Sequence, residues 1–291
     1  MRRQRRPPSV VTVTEGREMG TDARVSSRDD GTRDLDDKSA EALHIGDDHY
    51  LAYVGDPADY DLMGAMQFRL LTTMGLRHQH TVLDYGCGSL RLGRLLIPYL
   101  DAGKYFGLEP NGWLVEEAVK RQTGADQMRL KKPTFLHHDT YGTQEFGTTF
   151  DFIVAQSVLS HAGRDVAGRV LKGLSEGLSP QGIALVTFVQ RPWPRRTDTA
   201  RGWVYPGRVG YRAHDIRRLG VEAGLECAQL RWYHPAQRWY AFALSHQALP
   251  SAGARLARGR FWSEARTARP RVAPPPRRVV DEIRHRLGRR E

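Results

Sequence analysis

The run Val82-Leu83-Asp84-Tyr85-Gly86-Cys87-Gly88-Ser89-Leu90-Arg91 constrains this chain more than any other feature. A short apolar strand ends in a carboxylate, and two glycines one residue apart then turn the backbone into an apolar helix over residues 90–100. Glycines let the backbone bend tightly and approach a ligand, and the helix start behind them offers free N–H groups. A second apolar strand, over residues 105–108, ends at Glu109, where an acid suits a bidentate contact with ribose hydroxyls. A third, over residues 134–137, leads to Asp139. Glycines alone make an ordinary strand-to-helix turn; acids at three successive strand ends point to a nucleoside-type ligand.

The rest of the chain continues the alternation. Strands are expected over residues 152–155 and 183–189, with helices over 60–74, 113–121, 166–178 and 215–223. The residues Ser179-Pro180-Gln181-Gly182 read as a turn into the fifth strand. The last two strands, over 226–233 and 238–244, are joined by a short turn containing His234 and Pro235 and read as an antiparallel hairpin. Short buried strands alternating with helices imply right-handed βαβ units. The fold class is therefore α/β: a doubly wound, mostly parallel seven-stranded sheet, closed by a C-terminal antiparallel hairpin, with helices on both faces.

Composition matters mainly through where the charge lies. The net charge is +11, but residues 1–40 hold nine basic against eight acidic side chains, and residues 247–291 hold twelve arginines against four acids. The body between them carries only about +2, so an electrostatic case for nucleic acid rests on the C-terminal tail. Both ends lack core-forming periodicity and are expected to be disordered, with a short basic helix over 279–287; the folded domain is expected over 41–246. Met19 offers an alternative start. The arginines at the beginning are followed by prolines instead of an apolar stretch, and no run is long enough to span a bilayer, so a cytoplasmic protein is expected. Two cysteines, Cys87 and Cys227, exclude a disulfide framework.

A dinucleotide-binding fold is the first rival for the glycine turn. Its third glycine would fall at Arg91, and Asp84 would repel a pyrophosphate. A ligand with a cationic sulfonium and an amino-acid end fits that acid better. Asp84-Tyr85-Gly86-Cys87-Gly88 resembles the first motif of the class I S-adenosylmethionine-dependent methyltransferase superfamily, with Leu90 where that family usually has its third glycine. Gly107-Leu108-Glu109-Pro110 is similar to its ribose-binding motif, His138-Asp139 to its adenine-facing acid, and residues 150–161 to its fourth-strand motif. Leu178-Ser179-Pro180-Gln181-Gly182 resembles the turn before its fifth strand. The resemblance covers residues 40–246 and implies that S-adenosyl-L-methionine is the cofactor, bound by Asp84, Gly86, Gly88, Glu109, Asp139 and Gln156.

His161, just past the fourth strand, is the candidate general base for a hydroxyl acceptor, against the plainer reading of a helix-start histidine. The long insert over 191–211 carries Trp193, Trp203, Tyr205 and Tyr211 among several arginines; Trp203, Tyr205 and Tyr211 are the candidate acceptor contacts. No metal is expected, because the adjacent His137 and His138 point to opposite faces of a strand. The expected acceptor is a small molecule or a glycan. The alternatives are a nucleic-acid methyltransferase that uses the basic tail and an inactive methyltransferase-like scaffold. No oligomeric state is set.

Overall fold

A computed structural model describes residues 31–259. In chain order it contains α1 (Asp37–Ala40), α2 (Tyr60–Thr73), β1 (Val82–Tyr85), α3 (Gly93–Tyr99), β2 (Tyr105–Leu108), α4 (Gly112–Ala118), α5 (Ala125–Lys131) and β3 (Thr134–Leu136). These are followed by β4 (Phe150–Ala155), α6 (Arg164–Gly177), β5 (Leu178–Gln190), β6 (Gly210–Tyr211), α7 (Ala213–Glu222), β7 (Glu226–Gln229), β8 (Arg238–Ala243) and α8 (Ala252–Leu256). The sheet order is β3-β2-β1-β4-β5-β8-β7. All pairs from β3 to β5 are parallel, and β8 is antiparallel to both β5 and β7. The doubly wound sheet with its closing hairpin is the fold expected from the alternation.

The strands are apolar throughout because both faces are covered. Residues two apart share a face. Leu83, Tyr85, Ile153 and Ala155 pack with Val166, Val170, Leu171 and Leu174 of α6. Their neighbours Val82, Phe152 and Val154 pack with Leu70 and Leu71 of α2 and with Leu96 of α3. Chain order reverses where β1 meets β4, and the crevice above such a switch point is where open α/β sheets take ligands.

Three differences from the sequence expectations have physical causes. The four residues Ser179–Gly182 lie within β5 as an irregularity: β4 pairs Phe150 with Leu178 and then Phe152 with Ile183, so they bulge out of the ladder. The insert contributes an eighth strand, β6, which pairs Val189 with Gly210 and Gln190 with Tyr211. The two-residue strand is too short for an alternation signal. The hairpin connection runs over residues 230–237, longer than expected, because β7 stops at Gln229.

The described fold also extends past both expected domain limits. Asp36 caps α1 by accepting from the Ser39 N–H at 2.7 Å, and the Arg33 guanidinium lies 4.3 Å from the Trp113 ring centre. Arg121 donates to the carbonyls of Leu35 at 3.2 Å and Arg33 at 3.0 Å. At the other end Arg231 N–H donates to the Arg255 carbonyl at 2.9 Å, and a Cβ at Gly259 would stand 2.3 Å from the Trp232 ring. These anchors are single contacts without periodicity, so no pattern announces them. The remaining tail residues, 1–30 and 260–291, and the helix expected over 279–287 lie outside the described residues. Among the described residues no helix is long and apolar enough to cross a membrane.

Candidate functional site

The glycine turn after β1 is stitched to the end of β2: the Gly86 and Cys87 N–H groups donate to the Leu108 carbonyl at 2.8 and 3.1 Å. Gly86 has φ +75° and Gly88 has φ +53°, conformations that favour glycine. Space is restricted as well. A Cβ on Gly86 would meet Val158 Cγ2 at 2.6 Å, and one on Gly88 would meet Val54 Cγ1 at 2.6 Å. Leu90, at the family's third-glycine position, also takes a positive φ of +56° while fully buried.

Asp84, the next-to-last residue of β1, is buried and accepts a hydrogen bond from the Tyr105 hydroxyl at 2.9 Å. Burial lifts its pKa to about 7, against the opposing effects of that hydrogen bond and of the Arg91 charge. Glu109, also buried, accepts from Gly88 N–H at 3.1 Å through one carboxylate oxygen. Its other oxygen accepts from the Asn111 backbone and side-chain N–H groups, both at 3.0 Å. Burial raises its pKa despite these donors.

Both acids line a cavity of about 330 Å³ above the switch point, with Gly86, Gly88, Gln156, His161, Trp203 and Tyr205. The segment before α2 closes part of its rim. Tyr205 donates its hydroxyl hydrogen to the Tyr53 carbonyl at 2.7 Å, and Arg91 donates to the Val54 carbonyl at 2.9 Å. Four buried polar atoms on cavity-lining residues have no hydrogen-bond partner in addition to that of Arg91 Nε: Gln67 Oε1, Gln156 Oε1, His234 Nε2 and Gln237 Oε1. A buried polar atom without a partner costs roughly 1–3 kcal/mol, so such a cluster marks a place for a polar ligand.

His161 is held by a hydrogen bond of 2.6 Å between its Nδ1 and the Gly207 carbonyl. A carbonyl only accepts, so Nδ1 carries the hydrogen and Nε2 keeps its lone pair in the neutral ring. Burial, together with the nearby Arg208 charge, holds its pKa below 6.5 in spite of the Gly207 contact. The ring lies 5.0 Å from Tyr205 and 5.9 Å from Trp203, centre to centre. A neutral imidazole with a free lone pair, walled by aromatics, has the form a general base needs.

Two sequence candidates lie elsewhere. Tyr211 is a core residue: it is fully buried, packs on Phe188 at 5.5 Å and donates to the Ala162 carbonyl at 2.6 Å. The insert folds its end back as β6, which turns this ring inward, so it is not an acceptor contact. Asp139 is exposed and does not line the cavity, because β3 stops at Leu136 and leaves the acid on the following loop. Trp193, also in the insert, is 81% exposed and outside the cavity lining.

Sequence reasoning missed Gln67, Arg91, Arg208, His234 and Gln237, and the closing segment around Val54. Arg91 stands in the glycine run, where the sequence shows only the absence of a third glycine. The His-Pro turn was visible at residues 234–235, yet nothing local shows that a hairpin connection folds towards the sheet. A wider groove of about 890 Å³ lies between α6, α7 and the insert, away from the glycine turn; its charged lining includes the ion pair of Arg164 with Glu222 at 2.9 Å.

A family model described as a methyltransferase domain matches residues 59–230. Among solved structures, magnesium protoporphyrin IX methyltransferase from Synechocystis PCC 6803, with bound SAH, is 18% identical; the match covers 69% of this chain and 91% of that one, with a TM-score of 0.47. Glycopeptide N-methyltransferase MtfA complexed with S-adenosyl-L-homocysteine is 15% identical, over 62% of this chain and 90% of its own, with a TM-score of 0.49. CalO1, a methyltransferase in calicheamicin biosynthesis, is 15% identical over 72% and 66%, with a TM-score of 0.46. No curated protein matches the chain significantly.

Proposed function

The chain belongs to the methyltransferase-domain family, with S-adenosyl-L-methionine as its cofactor, and we propose that it methylates a small-molecule or glycan-type acceptor in the cavity above the switch point. The observation that carries this reading is the convergence of the acid–glycine turn, Glu109 and His161 on one cavity.

The residues present fit the cofactor. Gly86 and Gly88 leave a cradle that a Cβ would fill, and the unpartnered Arg91 Nε and Gln156 Oε1 await polar partners beside it. Asp84 would meet the positively charged amino-acid end, and Glu109 the ribose hydroxyls. When bound, the cofactor supplies an electrophilic methyl on a sulfonium whose departure leaves a neutral thioether.

The chain's own contribution is alignment and proton removal. Trp203 and Tyr205 wall the acceptor side, and His161 Nε2 takes the proton of an acceptor hydroxyl as it attacks. Residues 53–59, packed over the turn, help to exclude water. A labelled-methyl assay with pooled metabolites, glycans and RNA as separate arms tests the reading. Label entering a small molecule or glycan supports it, and label entering RNA alone contradicts it.

A further inference from the structure

The cavity wall formed by the β7–β8 connection is not used by the steps above. His234 and Gln237, each 6% exposed, line the cavity from that side. His234 Nδ1 accepts the Ala236 and Gln237 backbone N–H groups at 3.1 and 3.0 Å. Nδ1 is thereby occupied as an acceptor, so the hydrogen of the neutral ring sits on Nε2. That N–H is buried and has no partner, an arrangement with a standing cost unless a ligand atom accepts from it. Gln237 donates to the Ser157 hydroxyl at 2.8 Å. A hydroxyl donates as well as accepts, so a half-turn of this amide keeps the Ser157 bond and offers a second N–H.

The charges that act on His234 are all positive. Burial first, and then the charges of Arg91, Arg208 and Arg238, push the His234 pKa down to about 3. The carboxylates that line the cavity, Asp56, Asp59, Asp84 and Glu109, belong to the segment before α2 and to the ends of β1 and β2. Arg208 also acts on His161, so it lies within electrostatic reach of both histidines.

We infer that His234, Gln237 and Arg208 form an anion subsite for the acceptor, selecting molecules that carry a carboxylate besides the group to be methylated. This inference rests on the acceptor reading of the cavity. His234 supplies a desolvated N–H donor that stays uncharged at neutral pH, and Arg208 supplies the opposite charge at the mouth. A carboxylate held there leaves the remainder of the acceptor beside His161, Trp203 and Tyr205. The same carboxylate chemistry is present on the methionine end of the cofactor; His234 and Gln237 belong to the β7–β8 connection and not to the glycine turn, and the test below separates the two sources.

The test uses the full chain saturated with S-adenosylhomocysteine, titrated calorimetrically with 4-hydroxybenzoate and with 4-hydroxybenzamide. The carboxylate is expected to bind at least about tenfold more tightly than its amide, the size of one charge-assisted contact. His234→Asn keeps an acceptor for the turn while deleting the ring donor. In that variant and in Arg208→Gln the preference is expected to collapse to about threefold or less, with S-adenosylmethionine affinity retained. Equal binding of the two probes, binding of neither, or a preference unchanged in both variants overturns the inference. A parallel loss of S-adenosylmethionine affinity assigns the subsite to the cofactor and overturns it too. Selective carboxylate binding by a wild-type chain that fails to bind S-adenosylmethionine contradicts the methyl-transfer reading while sustaining the anion subsite.

Discussion

His161 donates its Nδ1 hydrogen to the Gly207 carbonyl at 2.6 Å, and that contact leaves Nε2 as the basic nitrogen of the ring. Loss of this ring should slow turnover on a hydroxyl acceptor by about 10²-fold or more, with cofactor affinity unchanged, as for other general bases. The His161→Ala variant measured by steady-state kinetics and calorimetry checks both. The pH profile adds a second readout. Burial lowers the pKa of this ring, so turnover should rise with pH along a limb centred below 6.5. A rate limb centred above 6.5, or a limb that survives in His161→Ala, would remove His161 from the role.

Asp84 should make cofactor binding depend on pH. Its pKa of about 7 means that the free site is half protonated near neutrality, and only the carboxylate attracts a positively charged ligand. Affinity for S-adenosylmethionine should therefore rise about tenfold from about pH 6 to about pH 8, with proton release on binding. Asp84→Asn should bind more weakly and show no such slope. Calorimetry in two buffers of different ionisation enthalpy measures the released proton directly.

Leu90 sets backbone strain against burial. A left-handed conformation costs a non-glycine residue roughly 1–2 kcal/mol, whereas emptying a fully buried leucine site costs roughly 3–4 kcal/mol. Burial wins, so Leu90→Gly should destabilise the chain by about 2 kcal/mol in urea unfolding even though it restores the family's usual residue. Equal or higher stability would show that strain dominates at this turn.

The strand ends and the glycine turn were legible in the sequence because each is a contiguous run with a conformational demand: apolar residues, then an acid, then glycines. Asp84, Gly86, Gly88, Glu109, Gln156 and His161 share one cavity for that reason, since every parallel strand delivers its end to the same edge, and the insert after β5 adds Trp203 and Tyr205. Tyr211 and Asp139 fall outside the cavity because their position depends on where an insert refolds and where a strand stops. His234 and Arg208 depend on long-range packing of connections, which leaves no local signature. The same holds for residues 32–40, whose attachment runs through scattered contacts to Asp48, His49, Tyr50, Trp113 and Arg121.

Those contacts have a measurable consequence. A chain truncated through Ala40 loses the Arg33–Trp113 contact, the Tyr50–Asp37 bond at 2.8 Å and both acceptors of Arg121. Its melting temperature should fall by about 5 °C, corresponding to about 2 kcal/mol for a body of this size. Cofactor affinity should weaken as well, because the segment that closes over the glycine turn follows directly. An unchanged melting curve would show that residues 32–40 add nothing to the body.

The most direct test of the account is calorimetric titration with S-adenosylmethionine of the wild-type chain, Glu109→Ala and Gly88→Val. The wild type should bind at one site. Glu109→Ala should lose about 1–3 kcal/mol of affinity through the ribose contacts. Gly88→Val should lose binding altogether, because its backbone φ of +53° resists a branched side chain and its Cβ would press on Val54 at 2.6 Å. Circular dichroism on each variant separates loss of the ligand from loss of the fold. Undetectable binding by the wild type, or affinity unchanged in both folded variants, would contradict the assignment of this cavity to the methyl donor.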